Sequence, residues 1–221
     1  LSVRSLLDLY LTSKSYPAGS EILLAPPVTI PAMANIIEYH DLRLVGIDLP
    51  RIDGETRWGV DVEAVRKAVS DKTVALMLVH PFGCRIADSS TMKDLRKIAN
   101  EHSLDIIEDC AQSYTGTCPS TKKRHTHLGY LGSEDADVSL FSFGPIKTST
   151  ALGGGVAVLR CCDGVAKSMR RMQESLYQQQ STTSYYVRLL KCTFVHLASQ
   201  SPHCCGFIKT LLDSVGVEYD W

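Results

Sequence analysis

The chain has 221 residues, of which 44% are hydrophobic and 21% are charged, and its formal net charge at pH 7 is -1. This composition is typical of a globular α/β domain and excludes an intrinsically disordered segment. A net charge so close to zero gives no general basic field for nucleic-acid binding. We therefore expect small-molecule chemistry and no nucleic-acid partner.

Nothing in the sequence predicts membrane insertion or export. No run of about 18 apolar residues occurs, and the stretch from Leu1 to Leu11 contains Arg4 and Asp8, unlike a secretory signal. The eight cysteines fit no zinc-ligand spacing and are interpreted as reduced thiols. A cytoplasmic location is expected.

Short β-rich apolar runs alternate with segments of helical periodicity between Glu21 and Arg160. Six runs predict strands: Ile22–Ala25, Leu42–Ile47, Val74–Val79, Leu104–Ile107, Val138–Phe143 and Val156–Leu159. Three segments between them predict helices: Pro31–His40, Asp61–Ser70 and Ser89–His102. This alternation predicts an α/β fold with a mostly parallel sheet and helices on both faces.

Two other regions differ in character from this alternating part. Thr115 to Glu134 is polar and rich in turn residues, which predicts an exposed loop. Its Lys-Lys-Arg-His-Thr-His run could be a nucleic-acid patch or a metal tract, but a solvated charge run is favoured. After Arg160 the pattern is helical over Val165–Tyr177, Tyr185–Ala198 and Phe207–Val215. The second helix could lie on a membrane surface, although packing on its own core or on a partner subunit is favoured.

Lys147 is the candidate for covalent chemistry, because it follows a buried strand in a turn that contains Gly144 and Pro145. Partial desolvation there would lower the pKa of its amine and make it a nucleophile toward an aldehyde. A lone lysine is more often a solvated surface residue. The glycine run 153–155 lacks the order of a dinucleotide or P-loop motif and is interpreted as a tight turn.

Other polar residues also stand at predicted strand ends, where α/β sheets place their ligands. Asp109 could pair with the pyridine nitrogen of a pyridoxal phosphate (PLP) cofactor, or it could simply cap the following turn. Its neighbour Glu108 points the opposite way in a strand and has no assigned role. His80 could be a base or a ligand, but a satisfied structural histidine is favoured.

Three motifs, in order and spacing, resemble the DegT/DnrJ/StrS family of sugar aminotransferases. The motifs are Val79-His-Pro-Phe-Gly83, Ile107-Glu-Asp-Cys-Ala-Gln-Ser113 and Ser142-Phe-Gly-Pro-Ile-Lys147 with Gly153-Gly-Gly155. The likeness runs from about Leu6 to Arg160. It implies the fold-type I architecture of PLP-dependent transferases, with a PLP-binding large domain over 1–160 that is incomplete at its N-terminus. Residues 161–221 would form a helical region, and the family's small C-terminal domain would be absent.

The resemblance also implies roles for individual residues. Lys147 matches the lysine that joins PLP as a Schiff base and shuttles a proton between the substrate carbon and C4′ of the cofactor. Asp109 matches the partner of the pyridine nitrogen. Gln112 matches a position near the ring oxygen of the cofactor, and Ser142 matches a phosphate ligand.

Two further positions match the family less closely. Ile30 stands where the family packs a side chain, often aromatic, on the face of the cofactor ring. Ser5 belongs to the segment Val3–Leu7, where the family opens a helix onto the cofactor's phosphate. Val3 replaces the family's glycine at that step.

The leading hypothesis is a PLP-dependent aminotransferase that takes an amino group from glutamate or glutamine and gives it to a keto-sugar or cyclitol. The family assembles its active site in a homodimer, so the resemblance implies a second copy of the chain as partner. The alternative is an inactive or truncated relative that serves as a dimerising interaction protein. A third possibility is a sugar dehydratase, but the family's dehydratases carry His in place of the lysine.

Overall fold

The computed structural model describes residues 1–114, 130–147, 149–160, 163–178, 181–199 and 206. The predicted helix Phe207–Val215 and residues 115–129 of the predicted loop lie outside this part of the chain. The main sheet has six strands: β1 (Glu21–Ala25), β2 (Arg43–Gly46), β5 (Thr73–Val79), β6 (Asp105–Asp109), β7 (Val138–Ser142) and β8 (Gly155–Leu159). A separate two-stranded hairpin pairs β3 (Arg51–Ile52) with β4 (Glu55–Thr56).

The main sheet has the strand order β2-β1-β5-β6-β7-β8. Its first five strands pair in parallel, and only β8 runs antiparallel, against β7. The predicted mostly parallel sheet is therefore confirmed, with each strand within two residues of its predicted ends. Because neighbouring parallel strands point the same way, the carboxyl ends of β5, β6 and β7 meet at one edge of the sheet.

Helices cover both faces of this sheet, as predicted. The described helices are α1 (Val3–Lys14), α2 (Pro31–Tyr39), α3 (Val62–Ala68), α4 (Ser89–His102), α5 (Asp163–Leu176) and α6 (Thr182–Ser199). α1, α2 and α5 share one buried cluster, which includes Leu7, Ile37 and Met169. α3 and α4 share another, which includes Val65 and Leu95. Each face of the sheet thus has its own apolar core.

Local sequence explains how α4 is defined. Asp88 Oδ1 accepts a hydrogen bond from the Thr91 N–H at 2.8 Å, which caps the first turn. Met92, Leu95, Ile98 and Ala99 recur at helical spacing and are buried against the sheet. The helix ends where Ser103 adopts a left-handed backbone with φ of 56°.

α6 differs from the other helices because most of its described side chains are exposed. Tyr186, Leu190, Phe194 and Leu197 are each more than half exposed. Arg188 Nη1 donates a hydrogen bond of 3.0 Å to the Leu152 carbonyl and so connects α6 to the loop before β8. Within the described residues, no helix combines the length and the apolarity that crossing a bilayer requires.

Candidate active site

A cavity of about 350 Å³ opens at the sheet edge formed by the carboxyl ends of β5, β6 and β7. It brings together three of the residues singled out from sequence: Gln112, Ser142 and Lys147. Phe82, Ala111, Tyr114, Ile146 and Ser149 complete its lining. A cavity of this volume at this edge is the usual location of a small-molecule site in a parallel α/β fold.

Lys147 and Ser142 reach the cavity from the strand β7 and the turn that follows it. Ser142 is the last residue of β7 and lies opposite Gly155 of β8. The Lys147 N–H donates to the Gly144 carbonyl at 3.0 Å, which closes the turn and fixes where the lysine side chain begins. Lys147 is half-buried and forms part of the cavity wall.

Asp109 occupies the buried end of β6, next to Val79 of β5 and Leu140 of β7. Its Oδ1 accepts a hydrogen bond from the Ala111 N–H at 3.0 Å, and no other donor among the described residues reaches the carboxylate. Burial raises the pKa of this carboxyl above its usual value, while the Ala111 N–H and the nearby Lys147 act in the opposite direction. An additional cation facing Asp109 would therefore favour its charged form.

We expect Asp109→Asn to stabilise the cofactor-free chain by about 1 kcal/mol at neutral pH, or about 2–4 °C in Tm. Asp109 has a raised pKa in the folded chain, so folding favours its neutral form. The resulting stability is complete below the unfolded pKa of about 3.9 and is lost as pH rises through the folded pKa. The gain from asparagine should accordingly vanish near pH 3.9, as measured by urea unfolding across this range.

The control for this variant is Asp94→Asn, because Asp94 is half-exposed and forms an exposed ion pair with Lys97 at 2.8 Å. It should change stability by less than about 0.5 kcal/mol. A loss of stability in Asp109→Asn at neutral pH would show that the buried carboxylate is already compensated without any ligand.

Gln112 lies in the segment after β6 and is held by the turn after β5. Its Oε1 accepts a hydrogen bond from the Phe82 backbone N–H at 2.6 Å. Both residues line the cavity, so the Gln112 amide lies between the turn Pro81–Gly83 and the space beside Lys147.

Ser5 and Ile30 do not line this cavity. The Ser5 N–H donates to the Ser2 hydroxyl at 3.2 Å in the first turn of α1. That turn packs against Gly155, where an added Cβ would lie 3.1 Å from the Val3 nitrogen. The N-terminus of α1 therefore approaches the strand opposite Ser142, while Ile30 is 56% exposed just before α2. Cofactor contact by Ser5 and Ile30 stays a prediction.

Glu108 lies at the centre of a buried hydrogen-bond network on the other face of β6. Its Oε1 accepts from His80 Nε2 at 3.0 Å and from the Tyr130 hydroxyl. Its Oε2 accepts from the Ser133 N–H at 2.8 Å and the Ser139 hydroxyl at 2.7 Å. Burial opposes ionisation, but the bonds from His80, Tyr130 and Ser139 hold the pKa of Glu108 at about 2. Glu108, to which the sequence analysis assigned no role, is thus the most extensively hydrogen-bonded carboxylate in the described part of the chain.

The ligand atoms of His80, Glu108 and Cys110 all lie within 4.8 Å of one another, which raises the question of a metal site. His80 Nδ1 accepts a hydrogen bond from the Ile86 N–H at 3.3 Å. A neutral imidazole with Nδ1 as acceptor carries its proton on Nε2, which then donates to Glu108. Nε2 has no lone pair left for a cation, so this cluster is a closed structural network and His80 is a satisfied core histidine.

Sequence reasoning missed several cavity residues. Tyr114 packs edge-on against Phe141 and Phe143, with ring centroids 5.8 and 5.0 Å away. Phe82 and Ile146 are 83% and 71% exposed at the cavity. Tyr114, Phe82 and Ile146 lie in or directly beside the three motifs, so their position in the sequence was the signal that could have identified them as cavity residues.

Comparison with known sequences places residues 5–195 in the DegT/DnrJ/EryC1/StrS aminotransferase family. GDP-perosamine synthase from Escherichia coli O157:H7 is 30% identical over 69% of this chain and 37% of its own length. The Vibrio cholerae enzyme of the same name is 32% identical over 69% of this chain and 36% of its own. The L-glutamine:2-deoxy-scyllo-inosose aminotransferase of Streptoalloteichus tenebrarius is 32% identical over 76% of this chain and 34% of its own length. The chain therefore spans roughly a third of these curated relatives.

Solved structures show the same fold. DesV from S. venezuelae, solved with a ketimine intermediate, superimposes with a TM-score of 0.60 at 24% identity, over 90% of this chain and 51% of DesV. NtdA from Bacillus subtilis, solved with its cofactor PMP, superimposes with a TM-score of 0.60 at 22% identity, over 82% of this chain and 38% of NtdA. The three motifs lie within the matched residues 5–195, so sequence and fold agree. The chain belongs to the DegT/DnrJ/EryC1/StrS aminotransferase family.

Proposed function

We propose that this chain carries the PLP-binding site of an aminotransferase that delivers an amino group to a keto-sugar or a cyclitol. The observation that carries the proposal is the cavity shared by Lys147, Gln112 and Ser142, with Asp109 at the end of the adjoining strand. A primary amine, an amide, a hydroxyl and a buried carboxylate form the donor and acceptor set that PLP requires.

The described residues fit the cofactor group by group. Lys147 would bind its aldehyde carbon covalently, and Ser142 would donate to its phosphate. Asp109 would face its ring nitrogen, because a protonated pyridine would add a positive charge that favours the charged form of this buried carboxylate. Gln112 would donate to its ring oxygen. When bound, PLP supplies an electron-withdrawing ring that stabilises negative charge at the substrate carbon.

Lys147 has a second task in this proposal. A primary amine at the cavity wall can accept a proton at Nζ and return it to a neighbouring atom, which is general acid and base chemistry by one group. The turn closed by the Lys147 N–H and the Gly144 carbonyl fixes the base of this side chain, while its four-carbon stem lets Nζ move.

The family relationship extends the proposal to the amino donor, the acceptor, the partner subunit and the division into domains. The names of several relatives specify nucleotide sugars or scyllo-inosose compounds, and two specify L-glutamine. We accordingly propose glutamate or glutamine as donor, a keto-sugar or cyclitol as acceptor and a homodimer as the assembly. Residues 1–160 would form the PLP-binding large domain and 161–221 a helical region.

The test is cofactor loading followed by chemical trapping. We expect added PLP to give the absorption of a lysine-bound cofactor at roughly 410–430 nm, and borohydride to remove it. Peptide mapping of the reduced chain should locate the pyridoxyl group on Lys147. Glutamate or glutamine, added instead of borohydride, should bleach the band. Labelling spread over exposed lysines such as Lys97, with none at Lys147, would contradict the proposal.

An inactive, dimerising relative is less well supported. A protein that serves only as an interaction surface does not need a lysine, an amide and a hydroxyl in one cavity. The sugar dehydratase hypothesis is disfavoured by Lys147 itself, because the family's dehydratases carry His at that position. Bleaching of the band by glutamate or glutamine would exclude the inactive relative.

A further inference from the structure

The Gln112 side chain is oriented by a backbone group rather than by another side chain. The Phe82 N–H lies 2.6 Å from one terminal atom of the Gln112 carboxamide. A backbone N–H can only donate, so that atom must be the oxygen Oε1. The NH₂ group is then the remaining polar end of Gln112, and among the described residues no acceptor is bonded to it.

The turn that carries this N–H is held firmly against the Gln112 segment. The His80 N–H donates to the Asp109 carbonyl at 3.1 Å, and the Ser113 hydroxyl donates to the His80 carbonyl at 3.2 Å. A Cβ at Gly83 would lie 3.2 Å from the Gln112 carbonyl, so the two backbones are nearly in contact. His80, which directly precedes the turn, is also held in place, because its ring bonds to Glu108 and to the Ile86 N–H.

Phe82 adopts an unusual backbone conformation in this turn. Its φ is 55° and its ψ is 23°, the left-handed region that bulky residues rarely occupy. Gly83 follows with φ of 78°. The N–H that bonds Gln112 therefore belongs to a residue with a left-handed backbone. An observed backbone outlier beside a candidate active site is a reason to look for a positional role.

We propose that the Phe82 backbone N–H is a positioning group that fixes the Gln112 carboxamide, so that Gln112 offers the cavity only hydrogen-bond donors. Gln112 then selects a ligand oxygen that accepts, either anionic or carbonyl, and disfavours a hydroxyl that must donate. The identity of that oxygen as the ring oxygen of PLP rests on the proposed function. The contact itself does not.

The contact can be tested without any cofactor, by amide hydrogen exchange at Phe82 in the full chain. Gln112→Met keeps the side-chain length and removes the acceptor, so the Phe82 N–H should exchange about 5- to 10-fold faster. Gln112→Glu keeps an acceptor and should retain the wild-type rate. Gln173→Met on α5 is the matched control and should also leave the rate unchanged. Equal rates in wild type and Gln112→Met would overturn the inference.

The donor role is tested on the PLP-loaded chain by the pH at which the band near roughly 410–430 nm titrates. Gln112→Glu places a negative acceptor where the NH₂ donor stands, so the midpoint should rise by at least about one pH unit. An unchanged midpoint in Gln112→Glu would overturn the donor role. Absence of the band in the wild type would refute the proposed function, while the exchange rates would still decide the contact.

Discussion

Lys147→Ala is expected to abolish the covalent attachment of PLP and to lower the rate of amine transfer by at least about 10³-fold. One group supplies both the bond to the cofactor and the proton transfer, so both are lost together. The fold should be unaffected, because the turn is closed by the Lys147 backbone N–H and by the Gly144 carbonyl, which alanine retains. The measurements are the absorption spectrum with PLP, the rate at which glutamate or glutamine bleaches it, and Tm.

Two controls separate loss of chemistry from loss of structure. Lys97→Ala removes a lysine that is 69% exposed and forms an exposed ion pair with Asp94, and it should leave spectrum and rate unchanged. A small primary amine such as ethylamine, added to Lys147→Ala, should restore part of the rate because it can occupy the vacated space and accept the proton. Full transfer activity in Lys147→Ala would refute the assignment of this lysine.

The fold was predictable because its signals are local. β-rich runs and helical periodicity place each strand of the main sheet to within two residues, and the alternation of the two predicts parallel pairing. The hairpin of β3 and β4 was missed although Asp53-Gly54 is a strong turn signal between them. Both residues have positive φ, as a two-residue hairpin loop requires. Strands of two residues leave too little alternation to recognise.

The candidate site was predictable only in part. Asp109, Gln112, Ser142 and Lys147 match family motifs, and parallel pairing of β6 with β7 brings their strand ends together. The role of Phe82 could not be predicted, because it rests on a backbone N–H, which the side chain does not reveal. Ser5 and Ile30 were inferred by position in the family, and the cavity does not include them.

Glu108 shows most clearly why the remaining contacts could not be predicted from the sequence. Alternation along β6 correctly places Glu108 on the face opposite Asp109, but it does not predict which residues Glu108 contacts. Its partners come from three other places in the chain: His80 after β5, Tyr130 and Ser133 before β7, and Ser139 within β7. A network with such separations is created by the strand order, so no local pattern encodes it.

Glu108→Gln is expected to destabilise the chain by about 2–4 kcal/mol, far more than its single-atom change suggests. The carboxylate accepts four hydrogen bonds, and an amide NH₂ in place of either oxygen faces a donor. At Oε2 it would face the Ser133 N–H, which cannot reverse its direction. At Oε1 it would face His80 Nε2, whose proton is fixed by the bond from Ile86 to Nδ1. Urea unfolding measures the loss, and Glu101→Gln, in an exposed pair with Arg66, should cost less than about 0.5 kcal/mol.

The dependence of this effect on pH distinguishes a charged network from simple packing. Glu108 has a pKa of about 2 in the folded chain and about 4.3 in an unfolded one, a difference worth ~3 kcal/mol. Because the folded pKa is the lower one, this stability is complete above pH 4.3 and is lost as pH falls toward 2. The gap between wild type and Glu108→Gln should therefore narrow steadily below pH 4.3. A gap of constant size would mean that the four hydrogen bonds stabilise the fold without any contribution from the charge on Glu108.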